Sequence, residues 1–169
     1  MQGGKYGKYI IEEMKTPSKL SVSRRMDPID RPPKERGRIQ VLYLDKEVVQ
    51  GGTYTECVWI MPSTRGPGLA EPLPHYHDFD EVVSFIGSDL DDPWDLGGEI
   101  EFWIEGEKHL LTRSCLICLP KGTKHCPLII RKVNKPIYHA AVGTGGIYLQ
   151  NIDEKDRNDP KYKPENLLK

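Results

Sequence analysis

Two short stretches decide how this sequence is read: His75-Tyr76-His77-Asp78-Phe79-Asp80-Glu81 and Pro120-Lys121-Gly122-Thr123-Lys124-His125. Histidines at i and i+2 on an extended backbone point to the same face. The Asp78–Asp80 stretch can then turn the chain so that Glu81 returns on a neighbouring strand. In the second stretch Pro and Gly make a tight turn, after which His125 opens the next strand. Three imidazoles with one carboxylate form a donor set suited to a borderline divalent metal, with positions left open for water or substrate.

Around these motifs the sequence reads as strands. Ile39, Val41 and Tyr43 alternate with polar or small residues, as in a half-buried strand. Further strands are expected near residues 53–61, 82–86, 99–104, 108–112, 115–119, 127–131, 137–142 and 147–150. A Pro/Gly-rich loop is expected over 62–74. Gly97-Gly98, Glu105-Gly106, Lys121-Gly122 and Asn134-Lys135-Pro136 punctuate the series. Sixteen Gly and 14 Pro in 169 residues argue against a helical bundle. Short strands at this spacing predict an all-β antiparallel sandwich or barrel. One domain of this length can bury roughly two thirds of its unfolded surface.

The two motifs resemble those of the cupin superfamily. His75, His77 and Glu81 stand where that family has a histidine pair followed by a glutamate, and Pro120, Gly122 and His125 match its Pro-x-Gly-x-x-His. Ser114 and Ile129 replace a glycine and an asparagine common in the second motif; neither position supplies a ligand. The resemblance covers residues 39–150. It implies an antiparallel double-stranded β-helix, the cupin jelly-roll barrel. By the same resemblance His75, His77, Glu81 and His125 hold one divalent transition metal: Fe2+, Mn2+, Ni2+ or Zn2+. The domain plan is then an extended basic arm over 1–38, the barrel over 39–150 and a surface tail over 151–169.

The net charge of −1 hides an asymmetry. Residues 1–38 carry ten Lys/Arg against five Asp/Glu, whereas residues 66–107 carry twelve acids and no Lys or Arg. The basic arm is broken by Pro32-Pro33 and has no aromatic interleaving beyond Tyr6 and Tyr9, so nucleic acid is not the expected partner. No apolar run approaches the roughly 20 residues of a membrane span. Met1-Gln2-Gly3-Gly4-Lys5-Tyr6 offers no secretory core. Four cysteines without regular spacing do not suggest a disulfide framework; Cys57, Cys115 and Cys118 are expected as core thiols, and Cys126 as facing away from His125. The expectation is a cytoplasmic homodimer, with part of the arm crossing onto the partner.

Other candidates lie outside the motifs. Alternation along Glu99–Ile104 puts Glu99, Glu101 and Trp103 on one face. If that face looks into the barrel, Glu101 is a candidate acid/base and Trp103 a pocket residue. His139 and Arg131 are further substrate contacts, with His109 and Arg113 behind them. The acidic loop around residues 88–95 lacks the glycine and terminal glutamate of a calcium-binding hand, and Trp94 within it is a candidate lid. A metal with open positions favours an enzyme acting on a small polar organic molecule. Dioxygenase-type chemistry leads, with isomerase, decarboxylase or lyase chemistry also open. A non-catalytic small-molecule-binding or sensing cupin is the alternative.

Overall fold

A computed structural model describes residues 6–13, 35, 37–62, 68–71 and 73–169. Among the described residues nine strands run in chain order: β1 Arg38–Leu44, β2 Tyr54–Ile60, β3 Gly68–Glu71, β4 Glu81–Gly87, β5 Asp95–Ile104, β6 Glu107–Arg113, β7 Cys115–Leu119, β8 His125–Val133 and β9 Ile137–Gly143. They form two antiparallel sheets, ordered β1-β2-β9-β4-β7 and β3-β8-β5-β6. The all-β jelly-roll architecture implied by the cupin-like motifs is therefore present.

Alternation decides what each sheet puts inside. On β2 the residues Tyr54, Glu56, Val58 and Ile60 are buried and those between them are not, and β9 does the same with Ile137, His139, Ala141 and Gly143. Val83 and Phe85 of β4 meet Leu96, Ile100 and Phe102 of β5 across the interior. Phe85 and Phe102 pack edge-on, ring centroids 6.4 Å apart. Burying large apolar side chains of this kind contributes about 1.5–3 kcal/mol each.

Several boundaries differ from expectation. The segment expected as the loop 62–74 contains β3, which pairs with β8; its Gly and Pro neighbours mask a four-residue edge strand. β5 begins at Asp95, earlier than expected, with Gly97 at φ +69° and a register shift before Ile100. Residues 147–150 are not a strand. Residues 75–77 make only isolated bridges, His75 to His125 and Tyr76 to Asn151. Gly7–Tyr9, within the segment expected to be extended, forms a 3-10 turn. Most of the basic arm lies outside the described residues.

The C-terminal residues, expected as a surface tail, are docked. They form α1 Glu154–Arg157, a 3-10 turn Pro160–Tyr162 and α2 Pro164–Leu167. Asp156 and Leu167 are buried. Lys124 pairs with both Asp153 and Asp156, Lys161 lies 4.5 Å from the Trp103 ring centroid, and Arg131 donates to the carbonyl of Lys169 at 3.5 Å. Together these contacts fasten the segment over the outer face of the four-stranded sheet.

Among the described residues no helix is long and apolar enough to cross a membrane.

Candidate metal centre

His75, His77 and His125 are buried, and each places one ring nitrogen so that all three lie within 4.8 Å of one another. Their ring centroids are 4.4–5.1 Å apart. The other nitrogen of each ring is engaged by the backbone. Nδ1 of His75 meets the Leu73 carbonyl at 3.1 Å, that of His77 the Leu149 carbonyl at 2.6 Å, and that of His125 the Thr123 carbonyl at 3.0 Å. A carbonyl only accepts, so each Nδ1 carries the hydrogen and Nε2 presents its lone pair inward. This is the tautomer a metal requires, held before any metal arrives. The residues fit the group, and the three histidines can hold a metal.

Glu81 heads β4 and is buried beside them. Its Oε2 lies 3.5 Å from His77 Nε2 and 3.3 Å from His125 Nε2. The turn before His125 is built by Gly122 at φ +83°, in the left-handed region that favours glycine, and its N–H donates to the His77 carbonyl at 2.9 Å. The two motifs are thus tied together through backbone. Phe79 stacks on His77 at 4.8 Å and 10°, and its ring occupies the space that side chains at Gly143 and Gly145 would fill.

Tyr148 and Gln150 complete the rim and were missed in the sequence. The Tyr148 hydroxyl donates to His75 Nε2 at 3.2 Å, and the Gln150 amide donates to Tyr148 at 2.8 Å. Residues 147–150 show no alternation that would mark them; only the contact with the histidines does.

His75, His125 and Glu81 line a small cavity of about 50 Å3. Its wall is largely apolar, formed by Val58, Val83, Phe102, Leu128 and Ala141. A second polar group interrupts it: Glu56 and His139, with Arg38 also lining the space. The sequence did carry a signal for Glu56, since it occupies the apolar phase of an alternating strand.

Other candidates lie elsewhere. Glu101 is buried but on the outer face of β5, because Ile100, Phe102 and Ile104 take the inner one. Trp103 donates to it at 2.7 Å, and Arg131 grips it through Nε at 2.9 Å and Nη2 at 2.8 Å. Glu101, Trp103 and Arg131 therefore form a structural cluster beneath the C-terminal segment, not an acid/base or a substrate pocket. His109 and Arg113 lie outside the cavity, and Trp94 is exposed. Cys118 and Cys57 point outward rather than into the core, while Cys115 is half-buried and its thiol is pushed up by desolvation. Cys126 has φ +72°, which breaks the alternation of β8 and turns it into the cavity beside His125.

No family model matches the sequence, and no curated protein matches it. Among solved structures the chain is similar to an oxalate oxidase in complex with the substrate analogue glycolate, with TM-score 0.46 and 13% identity over 76% of this chain and 59% of that one. It is similar to KdgF from Halomonas sp., with TM-score 0.39 and 17% identity over 68% and 84% of the two chains. A third similarity is to an uncharacterized conserved protein with a double-stranded beta-helix domain from Klebsiella pneumoniae, with TM-score 0.43 and 15% identity over 83% and 100%. The chain spans 59% of the length of the oxalate oxidase it matches.

Proposed function

We propose that this chain is a metal-dependent cupin enzyme acting on a small polar organic molecule held in the barrel cavity. The observation that carries the reading is the convergence of three buried imidazoles, each with Nδ1 committed to a carbonyl, two of which line that cavity. Glu81, within 3.5 Å of two of them, is the fourth ligand. The set accepts Fe2+, Mn2+, Ni2+ or Zn2+. A divalent metal bound there supplies Lewis acidity and, as iron, redox capacity towards dioxygen. The chain's own part is to orient the substrate: Tyr148 and Gln150 present hydrogen-bonding groups beside the triad, and the apolar wall excludes water. The second polar group on that wall favours catalysis over simple binding, since a store for hydrophobic ligands would have no use for a buried carboxylate and imidazole. Dioxygenase-type chemistry is the reaction class to test first. We place the protein in the cytoplasm and expect it to pair as a homodimer.

The test is elemental analysis of protein purified without added metal, paired with oxygen uptake on a panel of small acids and phenols. About one metal per chain is expected, and His77→Ala or His125→Ala should lower metal affinity by more than about 100-fold, since each removes a nitrogen ligand. A wild type that takes up none of the four metals refutes the site. Ligand binding by calorimetry without turnover on any metal replaces the enzyme with a binding module.

A further inference from the structure

The chain that leaves β9 passes along the metal centre before it reaches the C-terminal segment. Its near end is fixed where the Gly145 and Gly146 carbonyls accept from the Tyr54 and Lys46 N–H groups, both at 2.9 Å. Its far end is fixed where Asp153 and Asp156 grip Lys124, the residue before His125. Between these anchors it runs beside the first histidine motif. The Leu149 carbonyl takes the Nδ1 hydrogen of His77 at 2.6 Å, and the Tyr148 hydroxyl donates to His75 Nε2 at 3.2 Å. Backbone bonds add to these. On an extended chain, successive residues bond to neighbours on opposite edges. His75 exchanges N–H and C=O bonds with His125, at 2.9 Å each, and Tyr76 exchanges its own with Asn151, at 2.9 and 3.0 Å. The motif therefore lies between His125 on one edge and Asn151 on the other. The same stretch of chain that supports the first two histidines then closes on the neighbour of the third.

We infer that residues 148–156 are a positioning strap for the metal centre. Seated, the strap holds His75 and His77 in place against His125, and Lys124 is the residue that seats its far end. The inference rests on the metal reading above and adds no ligand to it. Strap and metal are then coupled. If the metal binds the seated form more tightly by some factor, linkage requires the metal to favour seating by that same factor. Supporting partners of metal ligands are worth about 10–100-fold in affinity, which sets the size expected. A segment that merely roofed the four-stranded sheet would open and close without regard to the metal.

Hydrogen exchange on the full chain at neutral pH, with and without saturating Zn2+, reads the coupling without turnover. The Asn151, Asp156 and Arg157 amides donate to the Tyr76 and Asp153 carbonyls in the seated strap. Zn2+ should slow their exchange about tenfold or more, and leave the amides of β6 unchanged. The reciprocal arm measures Zn2+ affinity in Lys124→Met and in the double variant Asp153→Asn with Asp156→Asn. Charge alone moves the two in opposite directions, since losing a lysine favours a bound cation and losing two acids disfavours it. Both should instead bind Zn2+ more weakly, by no more than the factor seen in exchange, with β4 still protected. Exchange indifferent to Zn2+, or slowed equally in β6, overturns the strap and needs no variant to fold. Wild-type affinity in both variants also overturns it. So does a loss confined to the aspartate pair, which is a charge effect, or to Lys124→Met, which is a local effect on His125. A wild type that takes up no Zn2+ or other divalent metal instead removes the metal reading, and this inference with it.

Discussion

At the centre of this protein three carbonyl oxygens fix three tautomers. Each belongs to a different piece of chain: Leu73 and Thr123 precede their histidines by two residues, whereas Leu149 reaches His77 from 72 positions away. The His77 bond is therefore the one that tertiary structure must deliver. Phe79, seated against Gly143 and Gly145, braces the same ring. A methyl group at Gly145 would meet the Phe79 ring at less than contact distance, so Gly145→Ala should displace Phe79 and loosen His77. Metal affinity is expected to fall about tenfold or more, in the range of lost supporting contacts around a ligand, measured by competition with a chromophoric chelator. Unchanged affinity would show that the ring is held by its carbonyl alone. Glu101→Ala is the contrasting case. It strips a buried partner from Trp103 and Arg131 and should cost about 1–3 kcal/mol in urea unfolding, with metal content and turnover unaltered. A drop in turnover at full metal occupancy would return Glu101 to the active site.

The strands show why some of this could be read from sequence and some could not. Alternation on β5 marked two faces correctly, whereas on β1 a register shift between Gln40 and Leu42 leaves Val41 exposed instead of sharing a buried face with Ile39 and Tyr43. The motif turns at Gly122 and before Glu81 were legible because proline, glycine and histidine each have few roles there. Alternation says nothing about which face is inward when both are covered. On β5 the outer face is roofed by α1, α2 and the turn between them, so Glu101 is as buried as an interior residue. That roof was illegible because its charged residues look solvated; much of what docks it is Lys124, next to His125. Asp153 and Asp156 hold the Lys124 ammonium above its usual range, and Lys124 holds the Asp153 carboxyl below the ordinary 3.8. The lysine's contribution is full below its ordinary 10.5 and is lost as pH rises through its raised value. That of Asp153 is full above 3.8 and is lost as pH falls through its lowered value. Docking should accordingly be constant between these limits and weaken outside them. Hydrogen exchange should show residues 153–168 opening in acid while β4 stays protected. Lys124→Met should open the same segment at neutral pH. Equal protection in both proteins would mean that Leu167 and the backbone contacts suffice.

The two faces of the whole barrel are managed differently. The outer face of the four-stranded sheet is roofed by the chain's own C-terminus, but the outward positions of the five-stranded sheet carry a row of apolar side chains. Val41, Trp59, Val82, Ile86, Leu116 and Val142 are all exposed there, Leu116 at 72%. Trp59 packs edge-on against Tyr138 at 5.4 Å. Outward positions on β2, β4, β7 and β9 are Thr55, Cys57, Trp59, Val82, Ser84, Ile86, Leu116, Cys118, Tyr138, Ala140 and Val142. No acid or base stands among them. Loss of charge over a continuous area, with aromatic residues inside it, is the composition of an interface core rather than of a solvated sheet. We propose a second copy as its occupant, because a face without charge has no sign to complement and can be matched by itself across a two-fold axis. Light scattering should give twice the mass of 19.3 kDa. Ile86→Glu or Trp59→Glu should halve it, since a charge buried at the centre of such a patch lacks a partner, while metal content stays the same because both side chains point away from the cavity. A monomeric wild type would overturn the assignment. So would a dimer indifferent to both substitutions, which would place the contact elsewhere, the basic arm being the first alternative to delete.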